Sequence, residues 1–337
     1  MTELSPYPKA STPTQGQTTI SPVGSRKRGG GGERSMVPPG EPRSYYGEPV
    51  VAKPVWTWEI ATYLWVGGFT GASAPLALIA SLRGNEALAR RMQAVAFAGS
   101  LVSPVLLISD LGRPKRFLNM LRVFKITSPM SVGSWILSGF GAATALGTAR
   151  ELLGLFPRAG RAAQVADLAL GPALSTYTAA LIANTAIPVW HDARDHLPFV
   201  FATSSAATAG AWGIVLCGPE DAGPARRLAV AGSIAEIVTD QVMERQLGPI
   251  GEPYHEGHPG KLQRAAKALT GVGALVAATA GRRHRAAGVG GGLAILGGAL
   301  CARWAIYRAG FASAKDPKYT VGPQRERLSH GAPASSG

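Results

Sequence analysis

Residues 109–135 read "SDLGRPKRFLNMLRVFKITSPMSVGSW". Arg113, Lys115, Arg116, Arg122 and Lys125 stand here with a single carboxylate, Asp110, between two uncharged runs. From Met92 to Ile108 every residue is apolar or small except Gln93, Ser100 and Ser103, and from Met130 to Leu146 nothing is charged. Two such runs joined by a short basic loop are the pattern of a helix pair that crosses a membrane and turns at its surface.

The rest of the chain follows the same rule. Its 46% hydrophobic content would also suit a soluble protein, but the 34 Lys and Arg gather in clusters separated by eight long, cation-poor stretches. These lie near 56–82, 92–110, 128–149, 166–190, 196–217, 228–247, 266–281 and 286–307. Each is about long enough to cross ~30 Å of hydrocarbon as a helix. They are rich in Ala, Gly and Ser, the small residues that let helices pack closely where no hydrophobic effect separates helix from lipid. The expected fold is therefore an all-α, polytopic membrane protein with eight transmembrane helices. Four segments are expected: a basic, disordered tail over 1–42, an interfacial or partner-docking segment over 43–55, a membrane domain over 56–312 and a C-terminal tail over 313–337. The first tail is Pro-, Gly-, Ser- and Thr-rich and has no apolar export-signal core. Tyr45, Tyr46 and Trp56 suit the 43–55 segment either to docking or to plain anchoring in the headgroup zone.

Eight crossings put both ends on one side, here called the N side. Most cations fall there, which favours the cytoplasm for that side. The opening loop belongs to it. Gly112 permits a turn, Pro114 stops the preceding helix, and Phe117, Leu118, Leu121, Val123 and Phe124 alternate with cations as in a helix lying in the interface. Ser128 before Pro129 reads as an N-cap with proline at the first helical position.

The six histidines lie at span ends or outside spans, so no haem is expected, because transmembrane haem needs axial ligands within the bundle. Cys217 and Cys301 are too few for an iron–sulfur cluster or a structural zinc site. No metal and no nucleic-acid partner are expected. Carboxylates inside spans carry the remaining signal, since each is costly in hydrocarbon without a partner or water. Glu236, Asp240 and Glu244 are spaced i, i+4, i+8 and share one helix face running from mid-membrane to the N side. They are candidates for a proton path; a polar face satisfied by a neighbouring helix is the plainer reading. Glu59, Asp110, Ser128, Ser131 and His191 are expected to converge at the N side, with Tyr177 and Pro188 on the fourth span.

The opening loop, with "YTAALIANTAIPVWHDARDHLPFVFATS" over 177–204, resembles the NrfD/PsrC family, the membrane subunits of polysulfide reductase and formate-dependent nitrite reductase. The resemblance covers residues 55–312. It implies eight transmembrane helices in two four-helix bundles, without haem, docked to an iron–sulfur subunit with four clusters that binds a molybdopterin catalytic subunit. The implied activity is electron exchange with menaquinone or ubiquinone near the docking face, as in anaerobic respiration. The ending "SAKDPKYTVGPQRERL" resembles members that accompany formate-dehydrogenase-like enzymes. Where relatives place Asn and His on span one as quinone contacts, this chain has Glu59 and Thr62.

The expected quinone-site residues are thus Glu59, Asp110, Arg113, Ser131, Tyr177 and His191, with Lys115, Arg116, Arg122 and Lys125 facing the partner. Two other readings use the same residues. One is a proton or ion transporter working through the carboxylate face of span six, and the other is a purely structural anchor.

Overall fold

The computed structural model describes residues 50–111 and 114–322. The tail over 1–42, most of segment 43–55, Gly112, Arg113 and residues 323–337 lie outside the described residues, as do the side chains of Lys115 and Arg116. Among the described residues there is no β-strand. In chain order the helices are α1 (Trp58–Leu82), α2 (Glu86–Leu111), α3 (Pro114–Arg122), α4 (Pro129–Leu153), α5 (Pro157–Ala183), α6 (Pro188–Asp192), α7 (Leu197–Leu216), α8 (Gly223–Leu247), α9 (Gly257–Ala278) and α10 (Arg285–Lys315).

Every one of the eight expected spans overlaps a long helix. Five of them, α1, α2, α5, α7 and α10, are long and apolar enough to cross a membrane. Helix α3 is the short helix expected between the second and third spans. Two details differ from expectation. Helix α5 begins at Pro157, nine residues before the expected fourth span, and it ends at Ala183. Pro188 therefore does not break a spanning helix. It opens the separate helix α6 at the first helical position, where its missing N–H costs nothing.

Local chemistry sets the ends of α4. The Ser128 hydroxyl accepts the Ser131 N–H at 3.4 Å, Pro129 follows it, and Gly154 leaves the helix at φ 69°, a conformation that side chains with a Cβ disfavour.

Residues 51–315 form one unit in which α1 packs against α2, α5 and α7, α4 against α2 and α5, and α10 against α9 and α7. Backbones touch where α1 crosses α5. A Cβ on Gly71 would lie 2.3 Å from the Gly171 carbonyl oxygen, and one on Gly171 would lie 2.4 Å from that of Gly71. Such close approach is how helices gain packing energy in lipid. Polarity runs inside-out. Ser73, Ser103, Thr144 and Ser233 are fully enclosed, while Leu101, Val105, Val238, Leu269 and Val272 point outward and are exposed. In water that surface would be an aggregation hazard; against acyl chains it is matched to its solvent. The chain is a multi-pass membrane protein.

Candidate functional site

At the N side, the extended residue before α1 ties together two helix ends. Thr57 donates its backbone N–H to Asp110 Oδ1 at 3.0 Å, and its hydroxyl lies 2.9 Å from the same oxygen. That hydroxyl also meets a carboxylate oxygen of Glu59. Glu59 and Asp110 therefore converge, as expected from the topology, on one hydroxyl with one proton to give. The cluster has more acceptors than donors, which suits it to bind an O–H group or to take up a proton. Glu59 and Asp110 are both half-buried.

One turn deeper on α1, Tyr63 is enclosed and its hydroxyl meets the Tyr177 hydroxyl from α5. The i, i+4 spacing puts Tyr63 beneath Glu59 on the same helix face. The Tyr177 ring fits because α4 has Gly133 there: a Cβ would sit 2.0 Å from the ring. Beside this column stands an aromatic group that the sequence did not foretell. Trp56 stacks on Trp190 of α6 with centroids 5.5 Å apart, and Trp190 donates its indole N–H to the Ile306 carbonyl at 2.8 Å. Tyr307 donates to the Trp56 carbonyl at 2.7 Å, and Phe311 packs on both Trp190 and Tyr307. The element that carries Thr57 and Glu59 is thus anchored by α6 and α10.

Other candidates have different employment. The Ser131 hydroxyl donates to the Val123 carbonyl at 2.9 Å and accepts the Lys125 N–H at 3.0 Å, so it staples the loop to α4. Thr62 donates to the Trp58 carbonyl within its own helix. His191 is exposed on α6. Arg113 lies outside the described residues, and Arg122 and Lys125 are exposed beside exposed Leu118, Val123, Phe124 and Ile126.

The carboxylate face of α8 is buried along its whole length. Asp240 and Glu244 are met by α9: Gln263 donates to Asp240 at 2.6 Å and to Glu244 at 2.9 Å, and Lys267 donates to Glu244 at 2.6 Å and lies 3.4 Å from Asp240. Tyr254, in the 3₁₀ turn after α8, has its hydroxyl pushed above the ordinary phenol range, first by burial and then by the Asp240 and Glu244 charges. Glu236 differs from its two neighbours. It is enclosed and is not tied to Gln263 or Lys267, and the Ser204 side chain of α7 is the hydrogen-bonding group that acts on it. The opposite charge acting on it is Arg303 of α10, itself buried, whose guanidinium lies 3.6 Å from the Phe201 ring centroid and donates to the Phe201 carbonyl at 3.2 Å. Val200, Glu236, Asp240, Gln263 and Lys267 line a crevice with about 10 Å³ of water-sized space, room for one water at most. Lys267 and Arg303 are not among the residues singled out from the sequence, and the available signal was that each is a lone cation within an otherwise apolar stretch.

A second polar network also escapes the sequence. Gln93 of α2 donates to the Thr144 carbonyl at 3.2 Å, and Gln164 of α5 donates to Gln93 at 3.2 Å and to Glu151 at 3.1 Å. Asp167, one turn along from Gln164, is enclosed, and neither of its oxygens has a hydrogen-bond partner. The i, i+3 pair Gln164 and Asp167 was the available signal. No group of three or more His, Cys, Asp or Glu placed to hold a metal occurs among the described residues.

Comparison with curated proteins found no match. The family described as "Polysulphide reductase, NrfD" matches residues 48–219, which takes in helices α1 to α7 and the whole Thr57–Glu59–Asp110 cluster. With just over half of the chain matched, the protein belongs to this family, whose members are membrane subunits of quinone-interacting oxidoreductase complexes.

Proposed function

We propose that this chain is the quinone-reactive membrane subunit of a molybdopterin oxidoreductase, and that quinone reacts at the N side beside Glu59 and Asp110. The supporting observation is the convergence of these carboxylates on Thr57 directly above the Tyr63–Tyr177 pair. Quinone reduction takes up two electrons and two protons. A partner iron–sulfur subunit supplies the electrons, Glu59 and Asp110 relay protons, and the tyrosine hydroxyls orient a carbonyl. Menaquinone and ubiquinone both meet these requirements.

All eight long helices cross the membrane in this reading, in two four-helix bundles, α1/α2/α4/α5 and α7/α8/α9/α10, with the N side cytoplasmic. Helices α8 and α9 support it despite lower hydropathy. Glu236, Asp240, Glu244 and Lys267 turn toward neighbouring helices, the exposed Arg227, Arg245, Lys261 and Arg264 stand toward the helix ends, and Ile234, Val238, Val242, Leu269, Val272 and Leu275 face outward. The partner docks over residues 112–125, where cations adjoin exposed apolar side chains, and the C-terminal ending suggests a formate-dehydrogenase-like catalytic subunit. Proton movement through α8 accompanies turnover, with Glu236 as the exchanging group, because it alone among the three carboxylates is not held by Gln263 or Lys267.

The test is quinone turnover by the assembled complex carrying Glu59→Gln or Asp110→Asn. Turnover is expected to slow by about a hundredfold or more, the usual contribution of a positioned proton-transfer group, with assembly unchanged. Parental turnover in both variants would refute the site.

A further inference from the structure

On the outer face of the helix assembly, α1, α5, α7 and α8 leave between them a groove of about 410 Å³. Its walls include Ala72, Pro75, Leu76, Pro172, Ala206 and Leu228. The three hydroxyls that also line it are already committed to backbone carbonyls. Ser175 donates to Gly68 at 2.9 Å, Thr176 to Pro172 at 2.8 Å and Ser205 to Phe201 at 2.6 Å. A hydrocarbon chain would therefore strand no polar group in the groove.

The end of the groove is different. Arg83, just past the end of α1, and Arg227, in the second turn of α8, both line it and are both exposed. Helix α1 ends and α8 begins on the face opposite the N side, so both arginines stand at that membrane surface. Neither guanidinium has an ion-pair or hydrogen-bond partner among the described residues, whereas Arg91, Arg226 and Arg285 on the same face all donate to backbone carbonyls. From Arg83 back to Ala72 is eleven residues of α1, roughly 16 Å along the helix axis. That is about half of the ~30 Å hydrocarbon thickness, the depth of one leaflet.

We propose that this groove holds an anionic phospholipid of the leaflet opposite the N side, with one acyl chain between α1, α5, α7 and α8 and its phosphate held by Arg83 and Arg227. Two unpaired guanidiniums suit a headgroup with net negative charge, since a zwitterionic headgroup carries its own cation. A quinone ring is neutral and has no use for both.

The purified full-length chain, in a non-denaturing detergent, is delipidated and then given phosphatidylglycerol or phosphatidylcholine with identical acyl chains, and retained lipid is read by native mass spectrometry. Phosphatidylglycerol is expected to be retained at least tenfold over phosphatidylcholine. The paired substitution Arg83→Gln with Arg227→Gln should bring its retention down to the phosphatidylcholine level, while Arg83→Lys with Arg227→Lys keeps most of the preference. Ala206→Phe, which fills the groove and leaves both arginines in place, should lower phosphatidylglycerol retention as well. Equal retention of the two lipids by the parent, or undiminished phosphatidylglycerol in the Gln pair at parental elution volume, would overturn the proposal. So would loss of copurified quinone, and not of phosphatidylglycerol, on Ala206→Phe.

Discussion

Replacing Lys267 by Met tests whether the lower rungs of the α8 carboxylate face are a structural ion cluster. In the parent, the ammonium reaches Glu244 at 2.6 Å and Asp240 at 3.4 Å, and both carboxylates are almost fully enclosed while the lysine is 31% exposed. Breaking a buried pair by removing one partner costs about 3–5 kcal/mol because the other charge is left without compensation. The lysine's partial exposure places this case at the low end, about 3 kcal/mol. Glu244→Gln should cost less, about 2 kcal/mol, because Asp240 still holds Lys267 and glutamine can still accept from Gln263. If the groups act as a unit, the double variant should cost about 3 kcal/mol in place of the additive total of about 5, a coupling of about 2 kcal/mol. Reversible unfolding in mixed micelles, followed by helical circular dichroism, measures all four corners of this cycle. Additive costs within about 0.5 kcal/mol, or a Lys267→Met variant as stable as the parent, would refute the cluster.

Glu236→Gln keeps shape and hydrogen-bonding capacity and removes titration, so the complex should assemble normally while quinone turnover slows or loses its proton movement; identical turnover and proton uptake would leave Glu236 a packing residue. Charge reversal at Arg116 and Arg122 should weaken copurification of the iron–sulfur partner, more at low salt than at high salt because the attraction is screened. Copurification unchanged across ionic strength would place docking elsewhere.

Two prolines, Pro129 and Pro188, show how far local chemistry reads true. Ser128–Pro129 starts α4 as expected, since an N-cap followed by proline needs nothing beyond neighbouring residues. Pro188 has the same first-position role, but nothing local separates a proline that opens a helix from one that bends a longer helix. The chain leaves α5 at Asn184, and α6 then packs behind that end with Trp190 fixed on α10.

The approximate positions of the long helices follow from the order of residues, because most cations are kept out of hydrocarbon and their clusters lie near the helix ends, Lys267 and Arg303 being exceptions that are held by partners inside the helix assembly. So does the common face of Glu236, Asp240 and Glu244, because helical periodicity is a property of one helix. Which of the three carries a partner depends on the packing of separate helices. Gln263 and Lys267 come from α9 and Arg303 from α10, and Ala- and Gly-rich helices offer no distinctive face from which that pairing could be read. The same holds at the N side. Topology brings Glu59 and Asp110 to one membrane surface, but their meeting on Thr57, and the Tyr63–Tyr177 contact beneath them, depend on how closely α1, α2, α4 and α5 approach, and that distance is set by glycines whose packing partners lie far away in the chain.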